Sequence, residues 1–169
     1  MPPTRDERTQ QGRDRAGATR TQLLGVLGPE PVTRQLRVVI ALERAAAKRY
    51  VRWSEAASGD EQAGLLACAR REEEVARLIE EAAFSSTPAD TADTELIARA
   101  VALFETMYTG LAREEQMAAQ APSELYGAEL WRTLRGADPD GPLAAAYEQA
   151  EKLEQESAHY LEGLLARLP

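Results

Sequence analysis

The chain has 169 residues, one domain's length, with a net charge of −8 and a pI of about 4.8. An acidic surface repels polyanions, which sets nucleic acid aside as a partner. No apolar run reaches membrane-spanning length, residues 1–20 lack a signal-peptide stretch, and Cys68 is the single cysteine; a water-soluble cytoplasmic protein, with no membrane partner, is expected.

Ala, Leu, Glu and Arg dominate, and β-branched residues are sparse, so the composition points to an all-α fold. Residues 1–30 read as a disordered or loosely docked tail. Arg5, Arg8, Arg13, Arg15 and Arg20 alternate with acids and show no apolar periodicity. The short apolar run Leu23-Leu24-Gly25-Val26-Leu27-Gly28 would dock on the rest of the chain or on a protein partner.

Residues 31–169 are expected to form the folded domain. A first helix over 31–57 ends at Ser58-Gly59-Asp60, and a second over 61–84 stops at Ser85-Ser86-Thr87-Pro88. A third is expected over 94–120, ahead of Pro122. An irregular or short-helix insertion, with its helical piece over 124–134, precedes a last helix over 142–168 with Pro142 in its first turn. Long helices joined by short turns lie antiparallel, which predicts a four-helix bundle. A weak repeat supports two related hairpins. Val39-Ile40-Ala41-Leu42-Glu43 resembles Val101-Ala102-Leu103-Phe104-Glu105, and Cys68-Ala69-Arg70-Arg71-Glu72 echoes Ala150-Glu151-Lys152-Leu153-Glu154.

Helical wheels locate the chemistry. Glu43 is centred in the stripe Leu36, Val39, Ile40, Ala46, Ala47, Tyr50 and Trp53. Glu72 is centred in Leu65, Cys68, Ala69, Val75, Ala76, Ile79 and Ala83. A buried carboxylate costs several kcal/mol unless something pairs with it, so two of them demand a partner. Glu154 lies within about 60° of its stripe and Glu105 about 80° from its own. Counted from the turns, all four fall at similar heights. Tyr50 and Tyr108 are placed to hydrogen-bond the carboxylates or to cap core packing. Cys68, one turn before Glu72, offers a thiolate or a small apolar filler.

Glu43 followed by Tyr50, the Gly59-Asp60 turn and Ala69-Arg70-Arg71-Glu72-Glu73-Glu74-Val75-Ala76 together resemble the first hairpin of rubrerythrin-like members of the ferritin-like superfamily. The resemblance spans about residues 31–168 in pattern. It implies a carboxylate-bridged metal held by Glu43, Glu72, Glu105 and Glu154, with iron or manganese as cofactor, a redox or metal-handling role, and a homodimer. In that family Glu-x-x-His motifs on the second and fourth helices supply imidazoles; here those positions are Val75 and Ser157. The one literal motif, Glu156-Ser157-Ala158-His159, points away from the stripe. The alternative is a metal-free ferritin-like interaction or stress-associated module without catalysis.

Overall fold

The computed structural model describes residues 4–84 and 87–167. Residues 1–3 of the expected tail, 85–86 of the expected stop and 168–169 at the end of the last helix lie outside the described residues. The fold is all-α, with six helices and no strand among the described residues: α1 Arg5–Leu27, α2 Val32–Glu55, α3 Gly59–Phe84, α4 Thr91–Thr106, α5 Arg113–Ala137 and α6 Ala144–Arg167.

Residues 5–27, expected as a polar tail, form α1. Thr4 caps its start, with Glu7 completing a capping box. The buried face of this helix is Gly12, Ala16 and Thr19, continued by the partly buried Leu23 and Val26. These residues recur at i, i+4, i+7, i+11 and i+14, so the helical period is present. It is carried by small side chains that hydropathy does not register. Gly12 makes the approach possible, because a Cβ there would stand 2.7 Å from the Glu115 carbonyl oxygen on α5.

The helix expected over 94–120 is two elements. α4 starts after Asp90, whose carboxylate accepts from the Asp93 amide, and it ends at Thr106. The chain then turns through Gly110 at φ +75°, a conformation that favours glycine, and α5 begins at Arg113. Glu115 closes a bond back to the Ala112 amide at this new start. Pro122, expected to mark a helix end, lies inside α5. The helix runs on beyond it, and Ser123 Oγ donates to the Ala119 carbonyl. The expected insertion is therefore the second half of a full-length helix, and Trp131 on it is completely buried.

Each helix packs most closely on two others: α2 on α3, α3 on α6, α6 on α5, α5 on α1, α1 on α4, and α4 back on α2. The core inside this ring is divided. One apolar cluster gathers Tyr50, Trp53, Leu65, Cys68, Met117 and Leu161. A second gathers Leu36, Ile40, Val75, Ile79, Trp131 and Ala150, and a smaller third, Val38, Leu96 and Ala100, joins α2 to α4. On α2, α3, α5 and α6 alike, an inward-facing glutamate falls in sequence between the first two clusters.

Candidate metal centre

Those four glutamates are Glu43, Glu72, Glu124 and Glu154. The carboxylates of Glu43, Glu72 and Glu154 each place an oxygen within 4.8 Å of the others. Glu124 adjoins them and is 2% exposed. The helices present them at the centre of the stripes that bury α2, α3, α5 and α6.

Glu105 is elsewhere. At the end of α4 its side chain is 43% exposed, and it accepts from Arg49 Nη2 at 2.6 Å. Arg49 is itself buried, with its guanidinium 3.3 Å from the Tyr108 ring centroid. Glu105 is the counter-ion of that buried cation. The structure thus brings together three of the four expected ligands, and Glu124 stands in the place assigned to Glu105. A signal for it is in the sequence: Met117, Ala121, Glu124, Ala128 and Trp131 are spaced four, three, four and three, a helical stripe with glutamate at its centre. Reading Pro122 as a helix end cut that stripe in two.

Neutral donors surround the carboxylates. Tyr50 Oη donates to Glu124 Oε1 at 2.7 Å, and Gln120 Nε2 donates to the same oxygen at 2.6 Å. Tyr108, expected near the carboxylates, hydrogen-bonds Gln120 and so touches Glu124 only at second hand. Trp131 Nε1 donates to Glu154 Oε1 at 3.1 Å, and Ser157 Oγ to Glu72 Oε1 at 2.8 Å. Ser157 on α6 thus donates to the carboxylate of the neighbouring helix, α3.

Charge balance is the unusual feature. Among the described residues no Lys or Arg forms an ion pair with any of the four. Glu72 Oε2 is fully buried and has no hydrogen-bond partner among the described residues. At an effective dielectric of about 20, two ionised carboxylates this close repel by roughly 3 kcal/mol, on top of their desolvation. Without a cation Glu43, Glu72 and Glu154 are therefore driven towards their protonated forms. Burial, then the charge of Glu124, pushes the Glu43 carboxyl up to about 8. Burial and the neighbouring glutamates push Glu72 and Glu154 well above the usual carboxylate range.

The other candidates are structural. Cys68 is fully buried, and burial pushes its thiol up to about 12, so it is a neutral filler with Arg71 against its sulfur. His159 is exposed on α6, and Glu156 pairs with Arg71 at the surface.

Glu43 is 9% exposed because it faces a cavity of about 280 Å³ between α1, α2, α4 and α5, which also reaches Glu124 and Glu154. Among the described residues no helix is long and apolar enough to cross a membrane. Comparison with protein-family models, with curated proteins and with solved structures gives no match for this chain.

Proposed function

We propose that α2, α3, α5 and α6 are an antiparallel, ferritin-like four-helix core, and that its four central glutamates hold a divalent metal for a redox or metal-handling role. Ladders of paired residues support the antiparallel reading. Arg44 meets Glu80 while Gln62 meets Ser54, and Arg135 meets Glu148 while Trp131 meets Glu154. The observation that carries the metal reading is the unpartnered, fully buried Glu72 Oε2 within a quartet that no basic side chain neutralises. A dry site of carboxylates alone repels itself and is complementary to a cation.

The donor set fits a hard metal. Glu43, Glu72, Glu124 and Glu154 would hold it, and oxygen-only ligands suit iron(II), manganese, magnesium or calcium over copper or zinc. When bound, iron or manganese supplies a redox-active Lewis acid at the end of the cavity. The protein's own contribution is orientation. Tyr50 and Gln120 together fix Glu124 Oε1, Trp131 fixes Glu154 Oε1 and Ser157 fixes Glu72 Oε1, which leaves the remaining lone pairs for the metal.

The deciding experiment is elemental analysis by mass spectrometry after anaerobic loading with Fe(II) or Mn(II) and desalting. About one or two equivalents per chain are expected. They should be lost in Glu43→Ala and Glu124→Ala and kept in Glu105→Ala. Loss in Glu105→Ala with retention in Glu124→Ala would sink the assignment of ligands. A second reading, a metal-free interaction or stress-associated module, is favoured by the lack of any imidazole at the quartet. Metal absent from the loaded native chain would leave that reading standing.

A further inference from the structure

The cavity beside the quartet has features that metal binding does not require. Its walls are aliphatic, formed by Leu23 and Leu27 of α1, Val39, Leu42 and Ala46 of α2, and Leu130 of α5. One end is different, since Glu43, Glu124 and Glu154 line it with acceptor oxygens. Glu124 Oε1 is already engaged by Tyr50 and Gln120, so the acceptors left at that end belong to Glu43 and to the other carboxylate oxygens. A cavity of about 150 Å³ lined by aliphatic residues accommodates benzene, so 280 Å³ takes a molecule of roughly ten non-hydrogen atoms.

The mouth lies along the seam between α1 and α5. Arg20 Nη2 meets Glu129 Oε2 there at 2.6 Å, and the Arg20 guanidinium lies 4.3 Å from the Tyr126 ring centroid. Leu24 beside it is 59% exposed. Because Glu129 matches the Arg20 charge, the mouth carries no excess cation to hold an anion.

We propose that this cavity binds a small aliphatic primary amine, its alkyl chain along the α1, α2 and α5 leucines and its ammonium group at Glu43 and Glu124. The apolar walls select an alkyl body, whose burial drives binding. The carboxylate end, which no basic side chain neutralises, is complementary to a head group that donates hydrogen bonds and carries positive charge. A fatty-acid carboxylate of equal length fits the walls but brings neither positive charge nor a hydrogen-bond donor to the carboxylate end. The inference needs the cavity and the carboxylates but no metal, so it stands apart from the metal reading.

The test is isothermal titration of the chelator-treated full chain with octylamine, and separately with octanoate. Octylamine should bind at one site, and octanoate roughly tenfold or more weakly, since an opposite charge near the quartet is worth at least 1.4 kcal/mol, a factor of ten. Leu27→Trp, which fills the cavity from its half-buried α1 wall, should abolish octylamine binding while leaving the helical circular-dichroism signal unchanged. Equal binding of the two compounds overturns the head-group assignment, and no binding of either overturns the ligand site. Octylamine binding that survives Leu27→Trp would put the amine elsewhere and also overturn the proposal. Should Leu27→Trp fail to fold, the comparison of octylamine with octanoate on the native chain decides alone.

Discussion

Gly127 occupies the position three residues after Glu124, and its missing side chain is what lets Glu154 fit. A Cβ there would stand 2.7 Å from Glu154 Oε1. Inside a helix, Gly→Ala ordinarily stabilises by about 0.5–1 kcal/mol. Here the same change must push a carboxylate that Trp131 holds within the quartet. Because that carboxylate is the end of a flexible chain, we expect Gly127→Ala to leave the melting temperature within a few degrees of native while weakening Mn(II) binding at least tenfold, read by calorimetry. Unchanged affinity would mean that Glu154 is no ligand. At Glu105 the expectation is the reverse. Removing its charge leaves Arg49 buried without a counter-ion, so Glu105→Gln should lower stability by roughly 1–2 kcal/mol in urea denaturation without altering metal affinity. One variant moves binding and the other moves stability, which separates ligand from counter-ion.

At the scale of elements, α1 covers the seam between α2 and α5, which meet through side chains such as Tyr50 on Glu124 and Trp53 on Gln116. Its hold depends on backbone proximity at Gly12, where an added methyl meets the Glu115 carbonyl oxygen and the Ala119 amide nitrogen, neither of which is free to give way. We predict that Gly12→Ala costs about 1–3 kcal/mol of α1 docking. Hydrogen exchange should quicken across residues 5–27 and stay slow in α3 and α6; uniform protection would refute the docking role. The same helix explains what was legible. α2 and α3 were plain in the sequence because Leu, Ile, Val, Tyr and Trp mark their buried faces, and Glu43 and Glu72 stood out as charges inside those stripes. α1 was hidden because Gly12, Ala16 and Thr19 bury little apolar surface each, though their spacing is helical. The break at 107–112 was hidden because Gly110 is a single glycine in an otherwise helical run. Pro122 then disguised α5, since the lost backbone bond of an interior proline is usually enough to stop a helix. Glu124 was missed because its helix was.

For the whole molecule, Glu43, Glu72 and Glu154 couple folding to pH in an uncommon direction. A group whose pKa is raised by folding binds a proton that the unfolded chain has released, so its contribution is full below the unfolded value and is lost as pH rises through the folded one. Glu43, carried from its ordinary 4.5 to about 8, covers that interval, and Glu72 and Glu154 shift the same way through burial and mutual repulsion. Surface carboxylates act oppositely. Glu80 is held below its ordinary value by its hydrogen bonds from Arg44, and Glu74 by those from Arg77, so their contributions fade only on acidification below about pH 4.5. The two windows do not overlap. The chelator-treated protein should therefore be most stable near pH 5 and lose roughly 1 kcal/mol per pH unit or more between pH 5 and 8, instead of holding a plateau there. Glu43→Gln, which cannot ionise, should flatten part of that slope. Saturating Mn(II) should reverse it, because a cation displaces the shared protons and binds more tightly as they leave. Denaturant melts at pH 5, 6, 7 and 8, with and without metal, measure all three slopes. A chelated protein whose stability stays level or rises across that range would mean that Glu43, Glu72 and Glu154 are neutralised by something other than protons or a bound cation.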